Sequence, residues 1–391
     1  MERMLIDALK KQHLPALLLN MDSLKQNVQQ IMSTSQNKTI RIATKSIRSV
    51  QVLKRLLQMD PFFQGLMCFT AAEAVFLSEQ GFDDLLIGYP SNDERALTKI
   101  AQLNRFGKTI YCMVDDQLQV ELLERLANEA DGFFKVCIDI DMSTSFGGFH
   151  FGVRRSPLAT PEEVVSLAEY IKETETIDLA GLMGYEAQLA GVTDQSGQFF
   201  KDQAVRFMKR KSVQRIAAHR TAVVAALEAK GFFLAFVNGG GTGSMNTTVL
   251  DKSVTEVTVG SGIYTPLLFD RYLTFQYKPA LFFALPVVRQ PHPEIYTCLG
   301  GGYIASGSVG KDKTPQPIYP KGAKLLSLEG AGEVQTPIRL KGESLSIGDP
   351  VLFRAAKAGE ICERFDDMLV IEGGEITDRY TTYRGEGACF L

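Results

Sequence analysis

Residues 39–46 read Thr-Ile-Arg-Ile-Ala-Thr-Lys-Ser, an apolar run interrupted by Arg41 that leads to Lys45. Its β-branched residues predict a buried strand, and a helical pattern follows from Ser49. A lysine where a strand passes into a helix points into the mouth of an α/β fold. Partial desolvation there lowers the pKa of the amine and makes it a nucleophile toward aldehydes. Most lysines are solvated surface charges, so the rest of the sequence has to decide between these two interpretations.

The spacing of apolar runs through the first two thirds of the chain predicts a barrel. Short apolar runs alternate with amphipathic helical patterns at about 25–30 residues per unit. The predicted strands cover residues 14–20, 39–44, 65–69, 84–88, 109–114, 134–140, 177–185, 232–237 and 256–260. Continuously apolar strands are typical of a parallel sheet covered by helices. About eight such units favour a (β/α)8 TIM-like barrel, with a doubly wound open sheet as the alternative.

The pattern changes after about residue 270, where helical periodicity ends and glycine and proline separate short strand-like runs. These runs cover residues 280–288, 295–299, 324–328, 334–338, 350–353 and 368–371. Short strands separated by turn residues predict an antiparallel β domain. We therefore predict an α/β chain with the barrel over residues 14–270. A C-terminal antiparallel β domain is expected over residues 271–391, together with residues 1–13.

Composition excludes several classes of protein. The 391 residues carry a formal net charge of −3 with both signs interspersed, so neither nucleic acid nor an anionic membrane is expected as a partner. The longest apolar run, residues 279–288, is too short to span a membrane, and the N-terminus has no signal-peptide core, so a cytoplasmic location is expected. The six cysteines form no CxxC pair and the four histidines are scattered, which argues against a zinc knuckle or a histidine-rich metal centre.

A glycine-rich loop follows a late predicted strand, where residues 237–244 read Val-Asn-Gly-Gly-Gly-Thr-Gly-Ser. Consecutive backbone N–H groups in such a loop can cradle a phosphate, and hydroxyl groups add donors. The loop lacks the lysine of a nucleotide-binding P-loop, and barrel phosphate sites commonly lie after strands 7 and 8. A plain glycine-rich turn is the alternative. The predicted phosphate ligands are Gly240, Gly241, Thr242, Gly243 and Ser244, with Gly262 and Ile263 one strand later.

Two further predicted strand ends carry polar side chains. The first, at residues 139–141, leads into a glycine-rich stretch with His150, Arg154 and Arg155. A histidine or arginine there can bind a phenolate oxygen or a carboxylate. For Arg155, a solvated basic loop is an equally good interpretation. Tyr185 ends another strand and can line a polar site.

Near the C-terminus, Glu360 and Cys362 stand two residues apart in a predicted strand. Side chains with this spacing share one face of a strand, so a carboxylate and a thiolate can share a metal. Without a histidine, these two side chains would bind a divalent metal ion poorly. A strand face with mixed polar and apolar side chains and no metal is the better interpretation.

Together these features resemble the alanine-racemase fold (fold type III) of pyridoxal-phosphate enzymes. More closely, the chain resembles the D-threonine aldolase and D-serine dehydratase branch, whose bacterial members are called amino acid deaminase/aldolases. Residues 14–24 are similar to the first strand of that branch, and residues 41–45 to its segment with the Schiff-base lysine. Residues 299–307, Leu-Gly-Gly-Gly-Tyr-Ile-Ala-Ser-Gly, resemble the part of the second domain that approaches the active site.

The resemblance implies that Lys45 forms a Schiff base with pyridoxal 5'-phosphate and that the two glycine segments hold the phosphate. We predict His150 and Tyr185 as further catalytic side chains. His150 stands where the family often has an arginine, so Arg154 is expected to take that place beside the cofactor ring. The branch typically carries a histidine followed two residues later by cysteine or aspartate as metal ligands. Here Glu360 and Cys362 replace that pair, so zinc or manganese binding is expected to be altered or absent.

The predicted function is a pyridoxal-phosphate-dependent lyase that acts on D- or β-hydroxy amino acids, as an aldolase or as a dehydratase/deaminase. The cofactor draws electrons from Cα, and the proton that is removed decides the outcome. An amino acid racemase, with Tyr296 or Tyr303 as a second acid–base group, is the first alternative. A non-catalytic carrier of the cofactor is the second, although a β domain of roughly 120 residues argues against it. A homodimer is expected, because in this fold the β domain of one subunit often completes the site of the other.

Overall fold

The computed structural model describes residues 2–308 and 310–391, with the backbone alone for residues 2–4. The helices are α1 (Glu2–Leu9), α2 (Met21–Thr34), α3 (Val50–Met59), α4 (Ala71–Glu79), α5 (Glu94–Arg105), α6 (Gln117–Ala130), α7 (Pro161–Lys172), α8 (Ala187–Ala190), α9 (Phe199–Ala229), α10 (Met245–Thr248) and α11 (Ser261–Tyr264). The strands are β1 (Ala16–Asn20), β2 (Thr39–Ala43), β3 (Phe63–Cys68), β4 (Leu85–Ile87), β5 (Ile110–Val114), β6 (Phe134–Asp139), β7 (Thr144–Phe146), β8 (Phe149–Phe151), β9 (Ile177–Gly184), β10 (Phe236–Gly239), β11 (Glu256–Val259), β12 (Leu281–His292), β13 (Ile295–Leu299), β14 (Gln316–Tyr319), β15 (Lys324–Leu325), β16 (Gln335–Arg339), β17 (Pro350–Arg354), β18 (Asp367–Glu372) and β19 (Glu375–Thr381).

The described residues divide into two units, each with its own set of contacts. Unit 1 consists of Met1–Ile31, Ser46–Val52 and Ser261–Cys389. Unit 2 consists of Met32–Lys45, Leu53–Gly260 and Phe390–Leu391. Within residues 2–308 and 310–391, none of the helices combines the length and the apolar character that a membrane span requires.

Unit 2 contains a closed barrel of eight parallel strands in the order β2, β3, β4, β5, β6, β9, β10 and β11. The barrel closes where β11 pairs with β2, with Val257 beside Ile40. All eight strands overlap with predicted ones, and the predicted (β/α)8 barrel is confirmed. Strands β4, β10 and β11 are buried at every position, which explains why their sequences are continuously apolar or uncharged apart from one paired glutamate.

Alternate side chains of the strands fill the barrel. Its buried apolar cluster contains Leu86, Met113, Cys137, Met183 and Phe236. Arg41 of β2 also points inward: it is 2% exposed, and its Cζ lies 5.3 Å from the centre of the Phe236 ring. Its Nε donates to Glu256 at 2.7 Å, because a cation is tolerated in such an interior only when it is paired. Strand β2 ends at Ala43, and Lys45 lies two residues beyond it, in the turn at the carboxyl end of the barrel.

Side-chain caps fix where several barrel helices begin. Thr70, Asp93, Asp116 and Thr160 each accept a hydrogen bond from a backbone N–H in the first turn of α4, α5, α6 and α7, respectively. Such caps satisfy donors that the first helical turn leaves without partners, and each contributes about 1 kcal/mol. The strand-to-helix turns at the carboxyl end of the barrel are therefore defined by the local sequence.

Unit 1 contains a nine-stranded, largely antiparallel sheet. Seven strands lie in the order β15, β16, β13, β12, β1, β18 and β19, while β17 pairs with β12 and β14 pairs with β17. The predicted C-terminal β domain is thus confirmed in its architecture. Strands β14 and β19 were not predicted, because their sequences are polar and their side chains are mostly exposed or half-buried.

Strand β1 was predicted as part of the barrel but lies in the middle of the sheet of unit 1. Leu18 pairs with Phe282 of β12 in antiparallel fashion and with Leu369 of β18 in parallel fashion. Leu17, Leu18 and Leu19 are all buried. A short run of leucines is suited to any strand that is covered on both faces, so the sequence does not reveal which sheet it joins. The predicted limits of 14–270 and 271–391 also differ from the division into units at residues 261–270.

Candidate functional site

Lys45 lies just beyond β2, in a short 3₁₀ turn that covers Thr44–Ser46. Its Nζ donates a hydrogen bond to the hydroxyl of Tyr89 at 3.1 Å and lies 5.7 Å from the centre of that ring. Tyr89 follows β4, so both side chains come from the carboxyl end of the barrel, where the functional groups of such barrels lie. Lys45 is exposed, and the expectation that burial desolvates it is wrong. Its amine contacts a tyrosine hydroxyl, whereas the sequence predicted a partly desolvated amine.

Arg155 links Tyr89 to Tyr185. The Cζ of Arg155 lies 5.6 Å from the ring centre of Tyr89 and 5.6 Å from that of Tyr185. At this distance the face of an aromatic ring attracts a guanidinium. Arg154, which was predicted to lie beside the cofactor, and Arg155 are both exposed, and Arg155 is the arginine that contacts the rings of the two tyrosines. We refer to Lys45, Tyr89, Arg155 and Tyr185 as the lysine cluster.

The two tyrosines of the lysine cluster differ in acidity. Burial tends to raise the pKa of Tyr89, but the charge and the hydrogen bond of Lys45, together with Arg155, lower it below its ordinary value. At Tyr185 burial dominates and raises the pKa to about 12, although Arg155 opposes it. Tyr185 is therefore a protonated hydrogen-bond donor at neutral pH, and Tyr89 is the more acidic of the two.

Asp139, the last residue of β6, adds a carboxyl group beside the lysine cluster. It is 8% exposed, and burial, aided by the charge of Asp115, raises its pKa to about 7 while Arg155 opposes the shift. A buried acid that titrates near neutral pH at the end of a barrel strand is typical of functional sites. The sequence marked residues 139–141 as a strand end but gave Asp139 no role.

Tyr89 was not among the site residues predicted from the sequence. The available signal was its place directly after the predicted strand 84–88, at the point where a barrel presents its side chains. Its proximity to Lys45, which is 44 residues away in sequence, depends on the pairing of β2, β3 and β4. That pairing was not predicted residue by residue.

The glycine loop, residues 239–244, is held by its own hydrogen bonds. The N–H of Gly240 donates to Oε2 of Glu186 at 2.7 Å, and the N–H of Gly241 donates to the Ser244 hydroxyl at 3.1 Å. The N–H of Ser244 in turn donates to the carbonyl of Gly241 at 3.0 Å. Gly240 has φ of +82°, a conformation that favours glycine. The predicted phosphate-binding role of residues 240–244 stays a prediction.

Gly241 brings the glycine loop against the lysine cluster. A Cβ at Gly241 would lie 3.1 Å from Cβ of Ala190 and 3.3 Å from Cε2 of Tyr185. Both distances are shorter than most contacts of a real Cβ, so the position accepts glycine best. The path Lys45, Tyr89, Arg155, Tyr185, Gly241 therefore runs through contacts within unit 2 alone.

A buried ion network supports the glycine loop from behind. Arg220 of α9 is 1% exposed and forms ion pairs with Glu186 and Asp251. It also donates to the carbonyl of Gly184 at 3.0 Å. Because Glu186 accepts the N–H of Gly240, Arg220 positions this loop indirectly. The sequence signal was a charged residue in line with Ile216, Val223 and Leu227 on the buried face of a helix.

Gly262 and Ile263 lie in α11 of unit 1, and both are buried. The carbonyl of Gly262 accepts a hydrogen bond from Oγ1 of Thr265 at 2.7 Å, and that of Ile263 accepts one from Nδ2 of Asn27 at 3.1 Å. These contacts involve the carbonyl groups of Gly262 and Ile263, whereas the predicted phosphate donors are their N–H groups. Their contribution to phosphate binding stays a prediction.

His150 lies on a small hairpin formed by β7 and β8, opposite Ser145. Its Nε2 is buried and has no hydrogen-bond partner among the described residues. The contacts that define the lysine cluster do not include it. A catalytic role of His150 stays a prediction, whereas Tyr185 is brought into the cluster by Arg155.

The predicted metal pair does not converge. Glu360 and Cys362 lie in a 3₁₀ turn, Glu360–Arg364, rather than a strand, so side chains two residues apart do not share a face. The Glu360 carboxylate accepts bonds from the amide and the hydroxyl of Ser306 at 2.8 and 2.6 Å. The Cys362 thiol is buried, donates to the carbonyl of Ile47 at 3.6 Å, and has its pKa raised by burial to about 12. Throughout residues 2–308 and 310–391, no three His, Cys, Asp or Glu side chains are grouped as a metal site requires.

Comparison with known proteins identifies the family. The family described as alanine racemase, N-terminal domain, matches residues 19–266. The chain belongs to this family. The matched region runs from β1 to just beyond α11 and contains both the lysine cluster and the glycine loop. The predicted alanine-racemase fold and the pyridoxal-phosphate cofactor are thereby confirmed, and an amine at Lys45 near a glycine loop fits that cofactor.

Two curated relatives and several solved structures are similar to this chain. A 3-hydroxy-D-aspartate aldolase of Paracoccus denitrificans is 27% identical over 232 residues, which is 59% of this chain and 54% of the relative. A second 3-hydroxy-D-aspartate aldolase from that species is 24% identical over 238 residues, again 59% of this chain and 54% of the relative. The chain thus matches about half the length of these relatives.

The similar solved structures cover nearly the whole chain. D-threonine aldolase from Filomicrobium marinum has a TM-score of 0.82 at 19% identity and covers 98% of this chain and 97% of its own. D-threo-3-hydroxyaspartate dehydratase from Delftia sp. HT23 has a TM-score of 0.72 at 18% identity and covers 96% and 98%. At these identities the likeness establishes the fold, a barrel followed by a β domain.

Proposed function

We propose that this protein is a pyridoxal-phosphate-dependent lyase that acts on D-configured β-hydroxy amino acids, as an aldolase or as a dehydratase. The observation that carries the proposal is the path from Lys45 through Tyr89, Arg155 and Tyr185 to the glycine loop. It joins an amine at one barrel strand end to a loop of backbone donors after another. Two named relatives that act as 3-hydroxy-D-aspartate aldolases support the substrate class.

The residues of unit 2 divide the binding of the cofactor among them. Lys45 would hold its aldehyde carbon, and the glycine loop, residues 239–244, its phosphate. Arg155, fixed between two tyrosine rings, would bind the phenolate oxygen of the cofactor or the carboxylate of the substrate, because a guanidinium offers paired donors to either. When bound, pyridoxal phosphate withdraws electrons from the Cα of an amino acid.

The side chains of the cluster then act on protons. Once released from the cofactor, the Lys45 amine is placed to remove or return the proton at Cα. Tyr185, with a pKa of about 12, would donate a hydrogen bond and stay protonated. Removal of the proton from a β-hydroxyl breaks the Cα–Cβ bond and releases an aldehyde. Loss of the Cα proton together with the β-hydroxyl eliminates water and leaves an enamine, which would be hydrolysed to a keto acid and ammonia.

The first experiment tests the cofactor lysine. The purified protein is expected to absorb visible light as a Schiff base, and borohydride should bleach this absorbance and fix the cofactor on the peptide that contains Lys45. The variant Lys45→Met should lack the band, whereas Lys54→Met, which removes an exposed lysine of α3, should keep it. A covalently bound cofactor in Lys45→Met would refute the proposal.

The second experiment tests the reaction. D-threonine, D-serine and 3-hydroxy-D-aspartate, each with its L-enantiomer as control, are incubated with the enzyme with and without added Mn²⁺ or Zn²⁺ and with a chelator. An aldehyde product indicates an aldolase and a keto acid indicates a dehydratase. The opposite enantiomer as the sole product would instead establish a racemase, and no turnover of any substrate would favour a carrier.

The oligomeric state and the cellular location belong to the same proposal. We expect a homodimer, which light scattering of the purified protein would measure, and a cytoplasmic location, which fractionation would measure. A monomer with full activity would contradict the first expectation.

A further inference from the structure

The hydroxyl of Tyr89 accepts a hydrogen bond from the Lys45 amine. We propose that Tyr89 is an acid–base partner that exchanges a proton with Lys45 during capture and release of the cofactor. This inference rests on the proposed function, because it requires Lys45 to be the cofactor lysine. It assigns a role to a residue that the family resemblance did not mark.

The geometry suits a direct proton exchange. Nζ and the phenol oxygen are 3.1 Å apart, within the range for transfer between a donor and an acceptor. The amine also lies 5.7 Å from the ring centre, so it approaches the oxygen edge of the ring and not its middle. Tyr89 is half-buried and follows the short strand β4, whose residues are all buried, so its backbone is fixed by the barrel.

Three ionisable groups act on Tyr89, and together they lower the pKa of its phenol. Lys45 and Arg155 are positive, and both stabilise a phenolate. Asp139 acts in the opposite direction, although its own carboxyl group is protonated over part of the neutral range because its pKa is raised to about 7. Tyr185 stays neutral across that range. The outcome is a pKa of Tyr89 below the ordinary value, despite the burial that would raise it.

The proton exchange balances without any further reagent. A lysine amine is normally protonated near neutral pH and cannot attack a carbonyl in that form. Once Tyr89 is ionised, its phenolate oxygen takes one proton from the Lys45 ammonium across the hydrogen bond, which leaves a neutral amine and a neutral phenol. The amine then bonds to the aldehyde carbon, and its two hydrogens leave with the aldehyde oxygen as water. On release of the amine, the phenol returns its proton to Lys45.

The first test measures Tyr89 without any turnover. The full chain is freed of cofactor, shown to take it up again, and titrated in the ultraviolet tyrosinate band. One tyrosine should ionise at lower pH than the others, and this step should disappear in Tyr89→Phe and move to higher pH in Lys45→Met. Tyr170→Phe, which removes a surface tyrosine bonded to Glu121, should leave the step unchanged. An early step that persists in Tyr89→Phe, or that Lys45→Met does not move, overturns the proposal.

The second test uses the holoenzyme. Stopped-flow absorbance follows the transfer of the cofactor from Lys45 to hydroxylamine as a function of pH. Tyr89→Phe should slow this transfer roughly 100-fold and flatten its pH profile, since acid–base catalysis contributes a factor of this order. A slower transfer with an unchanged pH profile would mean that Tyr89 only orients the amine, and would refute the proposal. Failure of the proposed function is a separate outcome, because Lys45→Met would then still bind the cofactor covalently.

Discussion

Replacement of Arg220 by methionine tests whether the buried ion network holds the glycine loop. The variant leaves Glu186 and Asp251 without their cation, although these residues are only 1% and 7% exposed. Removing one member of a buried ion pair costs about 3–5 kcal/mol, since the remaining charge stays out of water. At about 2–4 °C per kcal/mol for units of this size, the melting temperature should fall by roughly 6–20 °C.

The matched control is Arg125→Met. Arg125 also pairs with two carboxylates, Glu94 at 2.7 Å and Glu129 at 3.2 Å, but its side chain is 46% exposed. Water replaces such a surface pair almost fully, so this variant should melt close to the wild type. Differential scanning calorimetry of both variants, with and without pyridoxal phosphate, makes the comparison.

A double variant separates the ion network from simple loss of packing. Adding Glu186→Gln to Arg220→Met removes one of the two unpaired charges and should recover part of the lost melting temperature. Because Glu186 accepts the N–H of Gly240, Arg220→Met should also shrink the stabilisation that the cofactor gives to the wild type. If Arg220→Met and Arg125→Met melt together, the assignment of Arg220 as the support of this loop is refuted.

Three further outcomes are expected. The Asp139 carboxyl has a pKa of about 7 in the folded state and 3.8 in the unfolded state, so the folded state binds its proton more tightly. The wild type should therefore lose stability as the pH rises from about 4 to about 7, by roughly 4 kcal/mol in total. Asp139→Asn should remove this loss. Urea unfolding at pH 5 and pH 8 measures it, and an equal pH response of variant and wild type would contradict it. Gly241→Ala should displace Tyr185, and because overpacking costs about 1–3 kcal/mol, the affinity for the cofactor should fall roughly 5- to 100-fold. Equilibrium dialysis measures this affinity, and an unchanged value would contradict the prediction. The activity of Cys362→Ser should respond to Mn²⁺ and to chelators as the wild-type activity does, because the Cys362 thiol bonds to the Ile47 carbonyl. If the variant no longer responds to the metal, Cys362 is a metal ligand after all.

Much of the fold was predictable because its signals are local. Each barrel strand overlaps a largely apolar run, and α4 to α7 begin at side-chain caps that are visible in the sequence. The prediction was wrong for β1, whose leucines are suited equally to a barrel and to the sheet that they actually join. It was also wrong for the turn with Glu360, since i and i+2 share a face only in a strand.

The sequence by itself determined the barrel, the β domain, and the place of Lys45 at a strand end, because the apolar run of β2 stops just before this lysine. Only the tertiary structure determined which side chains surround Lys45. Tyr89 reaches it from the end of β4, and Arg155, in the loop between β8 and α7, contacts the ring of Tyr89. The physical reason is that the periodicity of a sequence shows which side chains of one strand share a face. Contacts between strands depend on register and curvature, which are set only when all eight strands of the barrel pair.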